Sequence, residues 1–489
     1  MEEALHRQKN VRGFTMSTKF NYILEKLSLK EAGLDTRAGH VKDEESFIPI
    51  PKLDHKLTEY VIHHHESKRA PVHEDIRMLF DGKAVSFAAP KGMPVDKLKK
   101  RWIRTPDHEK DFMAWQGTIK PGEYGAGEVS ILDKGKMCVT TGNGRIKILI
   151  PEGPFAGNFT IVKTNQDHLA FKRAEPSYYW EEKGKQYLTK VPEHLWDDPK
   201  VIASHKIDGA NSIWHICEDG RAGIVSSRKS VDGSLIIYNN KIPHLSDIVF
   251  PKRYIGTTFR AELHLPQLGS FSQLAGILNS GVLKALETQE KTGKIHAAPF
   301  DVININNKKT DITYGEKLDF LKGIETVLQS PYIRVPSYTN DNKKDFLKKM
   351  LSSGQEGIIL SREDEKGKHK LYKVKKNVEY TLKIIGATEG NGRLKGSAIG
   401  NFLLADKAGN LVCSVGSGLT DKIRRSAYQD FDQYKGKLVR ISAMEASNLF
   451  SLRHPVFKGI EVDSNEADEV TPNSNEKILD FLNKFNFPG

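Results

Sequence analysis

The sequence predicts a multidomain α+β protein with a small N-terminal β-barrel or sandwich, a central antiparallel-sheet domain and a C-terminal OB-fold. Three observations support this class. The chain has 489 residues, which is too long for a single hydrophobic core. Apolar runs follow glycine-rich turns in 122–150, a pattern typical of small β-barrels. Short strand-like runs and glycine turns return in 377–464, as in OB-type barrels that bind nucleic acids.

Changes in pattern along the chain predict the domain boundaries. The N-terminal region has one stretch with helical spacing, 20–29, but its surroundings are charged and interrupted by proline. Residues 164–190 mix charged and aromatic side chains without periodicity, which favours a linker. The predicted division is an N-terminal tail (1–57), a first β-domain (58–165), a linker (166–189), a central domain (190–376), an OB-fold (377–464) and a C-terminal tail (465–489).

Composition indicates a globular protein with a polyanionic partner. The formal net charge is +12, and lysine and arginine gain affinity for nucleic acids by displacing counterions from phosphates. The three cysteines, Cys138, Cys217 and Cys413, are too far apart for a zinc cluster or a disulfide framework, so a reducing compartment is expected. No apolar run reaches the length of a signal peptide or a membrane span. We therefore expect a cytoplasmic, DNA-associated protein.

A polar cluster in the first β-domain predicts a metal site. His73 and Asp75 are two residues apart on a predicted strand, so both side chains project from one face. Neutral imidazoles with a carboxylate suit manganese, zinc or a similar divalent ion. Arg77 lies on the same face and can bind a phosphate with its bidentate guanidinium. The alternative interpretation is a set of surface histidines with an incidental alternation of charge.

The central domain presents an unusual lysine. Lys206 stands two residues before the turn Asp208-Gly209, with an apolar strand-like run after it. A lysine held at a strand end can lose its proton when cations surround it, and its free amine can attack phosphorus. Further along, Glu262 and Glu356 occur in apolar strand patterns, where an unpaired carboxylate would be costly. These residues predict a phosphate-handling pocket, although an exposed face of an antiparallel sheet is the simpler alternative.

The first β-domain resembles the 3′-phosphoesterase domain of bacterial ligase D end-joining proteins. The resemblance rests on the blocks YVIHHHESKRAPVHEDIRMLFDGKAVSFAAPKG and RTPDHEKDFMAWQGTIKPGEYGAGEV. It implies an enzyme that removes 3′-phosphates and 3′-ribonucleotides from DNA ends with one manganese-type ion. It also implies roles for particular residues: His65, His73 and Asp75 as metal ligands, and Arg77, His108 and Lys91 as phosphate contacts.

The first β-domain also departs from that family. Phe112 stands where a tyrosine is expected, which removes a hydroxyl group that could contact the transferring phosphate. The stretch between His65 and His73 is two residues longer than the family pattern, and the upstream Arg-Asp segment is not recognisable. A DNA-end-binding domain with weakened catalysis is therefore an alternative.

The central domain resembles the covalent nucleotidyltransferases, and in particular small phage-type ATP-dependent DNA ligases. The motifs that support this are KIDG, SSRKS, FRAELHL, PFDVI, EGIIL and YKVKK, followed by SLRHPVFKGIEVD. The resemblance implies an antiparallel-sheet nucleotidyltransferase (ATP-grasp-like ligase) domain. It also implies these roles: Lys206 as the nucleophile that takes AMP; Arg228, Glu262, Phe300, Lys373, Lys375 and Arg453 as nucleotide contacts; and Glu356 as a metal ligand.

Together, these resemblances predict an ATP-dependent DNA ligase that uses ATP and Mg²⁺, with an N-terminal Mn²⁺-dependent domain for 3′-end processing or end binding. Its expected partner is double-stranded DNA with nicks or ends, and a monomer is expected. Two positions depart from the ligase pattern: Asn211 replaces a common arginine, and Arg260-Ala261 replaces a common Asp-Gly. The alternatives are an RNA ligase or capping-type enzyme, and a catalytically weakened DNA-end-binding scaffold. The four-cysteine zinc module of NAD-dependent ligases cannot be formed from three scattered cysteines.

Overall fold

The structure is a computed structural model that describes residues 49–470 except for several short gaps. The gaps are residues 69, 183–186, 189–190, 267–270, 367–369, 376–377, 444–451, 453 and 462–463. The predicted helical stretch 20–29 and the site residue Arg453 lie outside the described residues. The described residues fall into two compact units. The first comprises those within 1–180, 214–256 and 276–294, and the second those within 181–213, 257–275 and 295–489.

The N-terminal part of the first unit is a β-barrel. Its strands are β1 (Lys56–Ser67), β2 (His73–Phe80), β3 (Lys83–Ala89), β4 (Lys100–Glu109), β5 (Gly117–Ile119), β6 (Gly127–Gly142), β7 (Arg145–Ile150), β8 (Gly157–Lys163) and β9 (His168–Lys172). The strand order is β1-β2-β3-β4-β9-β8-β7-β6-β5, and an additional antiparallel pairing of β1 with β6 closes eight strands into a barrel. The small β-barrel predicted from the glycine-spaced strand pattern is confirmed.

The barrel core forms because alternate residues of each strand point inward. Large apolar side chains fill it, among them Met78, Phe87, Trp102 and Phe159, each almost fully buried. Strand β9 lies between β4 and β8, so these five residues of the predicted linker 166–189 belong to the barrel. The strand was missed because its short HLAFK pattern lies among charged and aromatic residues that show no periodicity. The domain boundaries otherwise stay a prediction.

The remaining elements follow in chain order. The strands are β10 (Tyr187–Leu188), β11 (Val201–Lys206), β12 (Ala210–Ile216), β13 (Ala222–Lys229), β14 (Leu235–Ile237), β15 (Thr258–His264), β16 (His296–Ile305), β17 (Lys308–Lys309), β18 (Tyr338–Thr339), β19 (Gly357–Arg362), β20 (Leu371–Lys375), β21 (Val378–Glu389), β22 (Ile399–Ala405), β23 (Leu411–Val415), β24 (Leu438–Ala443) and β25 (Val456–Ile460). The helices are α1 (Pro243–Ser246), α2 (Phe271–Asn279), α3 (Val282–Thr292), α4 (Tyr314–Leu328), α5 (Lys343–Ser352) and α6 (Asp421–Gln429).

The second unit contains two five-stranded sheets and the antiparallel strands β15, β16 and β17. One sheet has the order β10-β20-β19-β11-β18 and is antiparallel except for the β10–β20 pair. Its apolar face packs against α5 through Val201, Ile358, Leu360 and Leu347. Helix α4 begins at a capping box, in which Thr313 and Glu316 satisfy each other's backbone N–H groups.

The C-terminal sheet of the second unit is antiparallel, with the order β23-β22-β21-β24-β25. Leu382, Phe402, Val439 and Ile441 form part of its buried core. The strands occur where the glycine-spaced pattern predicts them, and the OB-fold itself stays a prediction. Among the described residues, no helix has the length and apolar character needed to cross a bilayer.

A buried carboxylate joins the barrel to the rest of the first unit. Asp247 follows α1 and forms an ion pair with Arg173, which follows β9. His55 Nε2 lies 3.5 Å and Lys147 Nζ 3.8 Å from Asp247 Oδ2. Burial alone would raise the pKa of Asp247, but these three groups lower it below its ordinary value. Leu286 of α3 packs on the barrel beside this network, so the barrel and these segments form one packed body.

We expect Asp247→Ala to destabilise the first unit by about 3–5 kcal/mol, because it leaves the Arg173 side chain, which is only 10% exposed, without its counter-charge. The contribution of Asp247 is present above pH 3.8 and is lost as the pH falls below that value, because its folded-state pKa is lowered. Hydrogen exchange of the barrel strands in the full chain, measured against denaturant, reports the loss.

The matched control is Asp219→Ala, which removes a half-exposed partner of Arg221 and should cost less than about 1 kcal/mol. Equal losses for the two variants would show that the Asp247 network does not stabilise the barrel.

Candidate functional site

The predicted metal ligands converge on one face of the β1–β2 hairpin. His65 on β1 pairs directly with His73 on β2, and Asp75 lies two residues further along β2. His65 Nδ1 is 3.4 Å from Asp75 Oδ2, and His73 Nε2 is 3.5 Å from Asp75 Oδ1. One ligand atom from each of the three residues lies within 4.8 Å of the others. We call His65, His73 and Asp75 the metal triad.

Hydrogen bonds orient both histidines of the metal triad. His65 Nε2 donates to the carbonyl oxygen of Gly125 at 2.7 Å, and His73 Nδ1 donates to that of Pro71 at 2.9 Å. Because a carbonyl only accepts, the nitrogen that meets it carries a hydrogen, and the other ring nitrogen of each histidine is the one that faces Asp75. His65 Nδ1 is buried and has no hydrogen-bond partner. The donor set of two imidazoles and one carboxylate therefore fits a divalent metal ion.

Arg77 extends the metal triad toward a phosphate-binding arrangement. The guanidinium is buried and donates from Nη2 to Asp75 Oδ2 at 3.0 Å. It also donates from Nη1 to His63 Nδ1 at 2.9 Å, while His63 Nε2 donates to the carbonyl oxygen of Trp115 at 2.9 Å. Burial and the neighbouring Arg77 lower the pKa of His63 to about 4, so this histidine is neutral at pH 7.

His63 is a site residue that the sequence analysis did not assign. Its position on β1, two residues before His65, places its side chain on the same face of the strand. That alternation was the available signal. His63 accepts a hydrogen bond from Arg77 and so fixes the guanidinium. This contact depends on the pairing of β1 with β2, which the sequence does not reveal.

His108 lies with Arg77 around the ring of Phe112. The His108 and Phe112 ring centroids are 4.5 Å apart, and the Arg77 guanidinium carbon lies 4.9 Å from the Phe112 centroid. Burial and the charge of Arg77 lower the pKa of His108 to about 4. The structure therefore brings together five of the six residues predicted for this site, with a neutral imidazole and a fixed guanidinium beside the metal triad. The sixth, Lys91, is exposed, and its predicted phosphate contact stays a prediction.

The second predicted site is a cavity of about 730 Å³ in the second unit, whose walls include Lys206, Glu262 and Phe300. Lys206 ends β11, where it pairs in register with Gly357, which in turn pairs with Lys375. The Lys206 ammonium forms an ion pair with Glu356. Lys375 Nζ lies 3.8 Å from Glu356 Oε1.

The turn after Lys206 requires glycine. A Cβ atom on Gly209 would lie 2.2 Å from the carbonyl oxygen of Leu263 and 2.8 Å from the Glu262 side chain. This close approach brings the turn against β15, so that Asn211 Nδ2 lies 3.5 Å from Glu262 Oε2. Packing therefore explains the glycine of the motif, because only a residue without a Cβ atom lets the turn approach β15 this closely.

Three more residues are predicted to contact the nucleotide, and their positions differ. Lys373 lies on β20 and pairs with Ile359. It stands two residues before Lys375, so the two side chains project from the same face of the strand. Arg228 is an exposed residue of β13 in the first unit. Arg453 lies outside the described residues.

The cavity wall also contains an ion pair that the sequence analysis missed. Lys317 of α4 donates to Asp301 of β16 at 2.9 Å, and both side chains are buried. Asp301 directly follows Phe300, which the motif did identify. Lys317 sits in a helical pattern with no distinguishing motif, so its partner is evident only from the packing of α4 on β16.

We expect His73→Ala to weaken Mn²⁺ binding to the full chain by at least about tenfold, because it removes one of three ligand groups. Equilibrium dialysis with metal analysis measures this. His64→Ala is the control: His64 neighbours His65 on β1, points to the opposite face and lies 3.4 Å from Glu66. Binding that is unchanged in His73→Ala, or equally weakened in His64→Ala, would contradict the metal triad.

Comparison with known proteins gives a family match for the barrel. The sequence model of the DNA ligase D 3′-phosphoesterase domain matches residues 63–171. Curated relatives include the multifunctional non-homologous end joining DNA repair protein LigD of Mycobacterium tuberculosis, 33% identical over 114 residues. The corresponding LigD of Mycolicibacterium smegmatis is 40% identical over 91 residues. These alignments cover 22% and 18% of this chain, and only 15% and 12% of the relatives' own lengths.

Solved structures with detectable similarity include DNA ligases. A Lig E DNA ligase structure is 19% identical and covers 57% of this chain and 100% of its own, with a TM-score of 0.43. The ATP-dependent DNA ligase of bacteriophage T7 in complex with ATP is 17% identical and covers 56% of this chain and 98% of its own, with a TM-score of 0.33. The family match is specific to the barrel. Residues 63–171, which contain the metal triad, Arg77 and His108, are thus similar to the 3′-phosphoesterase domain of DNA ligase D.

Proposed function

We propose that this protein is an ATP-dependent DNA ligase that seals 5′-phosphate/3′-hydroxyl nicks through a covalent lysine–AMP intermediate. We further propose that its barrel processes 3′ ends. The observation that supports the ligase most directly is the position of Lys206 in a cavity wall, paired with Glu356 and close to Lys375. A surface lysine would not be held at a strand end by a buried carboxylate.

Lys206 is the proposed nucleophile. After the ammonium loses a proton, Nζ bonds to the α-phosphorus of ATP while the bond from that phosphorus to the pyrophosphate oxygen breaks. Lys375 and Lys373, which share a face of β20, would bind the negatively charged phosphates. Phe300 in the cavity wall offers an aromatic face for the adenine ring. Mg²⁺ bound by Glu356 would neutralise negative charge on the phosphates, since hard cations prefer carboxylate oxygens.

Two transfers complete the proposed reaction. The AMP group passes from Lys206 to a DNA 5′-phosphate, and a 3′-hydroxyl then attacks that phosphate while AMP leaves. The last step needs an unblocked 3′-hydroxyl. A 3′-phosphate at the nick would block this step. A barrel that removes the 3′-phosphate would therefore supply the 3′-hydroxyl that ligation consumes. The expected partner is double-stranded DNA, and a DNA-associated cytoplasmic monomer remains our expectation.

The barrel is proposed to hydrolyse 3′-phosphate esters. Water adds to phosphorus while the bond to the 3′ oxygen breaks, and the released alkoxide takes a proton to become the 3′-hydroxyl. Arg77 would bind the phosphoryl oxygens, and neutral His108 can exchange a proton at this position. A divalent ion held by the metal triad would polarise the phosphoryl group. The family match of residues 63–171 supports this assignment.

We expect Lys206→Ala to abolish the covalent label that forms when the full chain is incubated with α-³²P-ATP and Mg²⁺, because no other group replaces its Nζ. Lys200→Ala, at an exposed lysine 3.6 Å from Asp364, should label normally. Label retained in Lys206→Ala would rule out this nucleophile. A wild-type protein that binds nicked DNA without any label would favour the end-binding scaffold instead.

We expect the full chain with Mn²⁺ and no ATP to convert a 3′-phosphate at a nick to a 3′-hydroxyl, and His108→Ala to slow this by about 10²-fold or more. Gel analysis of the labelled strand measures the conversion. His108→Ala should still seal clean nicks with ATP, since His108 belongs to the barrel. A stable 3′-phosphate with wild-type protein that seals clean nicks would leave the barrel as an end-binding domain.

A further inference from the structure

The turn between β5 and β6 is fixed against the metal triad. Its Gly125 carbonyl accepts the 2.7 Å hydrogen bond from His65 Nε2, and a Cβ on Gly125 would lie 3.4 Å from His65 Cε1. The backbone of Ala126 bonds both to Glu123 within the turn and to Lys68 after β1. The residue that precedes Gly125 is therefore placed at the rim of the site by rigid backbone contacts.

That residue, Tyr124, presents a phenol at the rim. Its side chain is 63% exposed, which is unusual for a large aromatic residue in this structure. Tyr124 directly precedes Gly125, whose carbonyl oxygen lies 2.7 Å from His65 Nε2, so its side chain begins beside the metal triad. The charges of Asp75 and Arg77 both act on its hydroxyl, which agrees with this placement. Desolvation, followed by the Asp75 carboxylate, raises the pKa of Tyr124, and the hydroxyl therefore keeps its proton and can donate at neutral pH.

The aromatic ring that lies beside Arg77 and His108 carries no hydroxyl. Phe112 offers only an apolar ring between Arg77 and His108. Arg77 already uses Nη1 and Nη2 for His63 and Asp75, while its Nε is buried without a hydrogen-bond partner. A phosphoryl group entering the site would still have oxygens facing outward, toward the rim.

We propose that Tyr124 is a substrate-binding residue whose hydroxyl donates a hydrogen bond to the terminal phosphoryl group of a 3′-phosphorylated DNA end held beside the metal triad. The inference rests on the proposed 3′-end-processing function and names a residue that distinguishes a 3′-phosphate from a 3′-hydroxyl. The ring itself, being exposed, needs no role in folding, so its substitution leaves the barrel intact.

The test measures binding without turnover. The full chain is kept metal-free with EDTA and titrated into short fluorescent duplexes with a recessed 3′ end that carries either a phosphate or a hydroxyl. Fluorescence anisotropy gives both dissociation constants. We expect Tyr124→Phe to weaken binding of the 3′-phosphate duplex about tenfold, as for a hydrogen bond to a charged group, and to leave the 3′-hydroxyl duplex unaffected. Tyr428→Phe, at another exposed tyrosine in the second unit, is the matched control and should change neither constant.

Two outcomes would overturn the proposal. If Tyr124→Phe binds both duplexes like the wild type, the hydroxyl makes no contact with the phosphate. If Tyr124→Ala weakens both duplexes equally and Tyr124→Phe weakens neither, the ring stacks on the DNA and does not recognise phosphate. Failure of the proposed function is separate. It would appear as a wild-type protein that prefers the 3′-phosphate duplex in EDTA yet does not hydrolyse it with Mn²⁺.

Discussion

The functional face of the barrel depends on keeping one carboxylate charged in a buried position. Asp75 is almost completely enclosed, and burial alone would favour its neutral form. Arg77, which donates to Asp75 Oδ2, is the main group that lowers the pKa of Asp75 below its ordinary value, so the carboxylate remains an anion. His63 then holds Arg77 in place through a ring nitrogen that can only accept. Arg77 therefore balances the charge of Asp75, and His63 fixes the position of Arg77.

The two proposed sites differ in the charge state of their main side chains. In the barrel, the pKa values of His63, His73 and His108 are all lowered, mainly because of burial, so these rings are neutral at pH 7. A neutral His73 can offer a lone pair to a metal ion, and a neutral His63 accepts the hydrogen bond from Arg77. In the second unit, Lys206 is instead paired with Glu356, and burial lowers the pKa of the neighbouring Lys375. The barrel site groups two imidazoles and a carboxylate that could hold a cation, whereas the cavity holds an amine next to the carboxylate that balances its charge.

Much of both sites could be predicted from sequence, because strand alternation is a local property. The spacing of His73 and Asp75 places them on one face, and the structure agrees. The Lys206–Glu356 contact could be expected only from the order of motifs, because the two residues are 150 positions apart in the chain. The roles of His63, Lys317 and Asp247 were missed, since each depends on which strand or helix packs beside it. Strand β9 was taken for linker because its neighbours show no alternation.

The connection between β1 and β2 has a consequence for how the barrel can vary. It begins beyond the directly opposed pair His65 and His73, so these two ligands lie at the end of the β1–β2 pairing. Because the register of the hairpin is set by the strands below, the connection can lengthen without rotating either histidine off its face. A change in the length of this connection would therefore alter the surface beside the metal triad and leave the ligand geometry as it is.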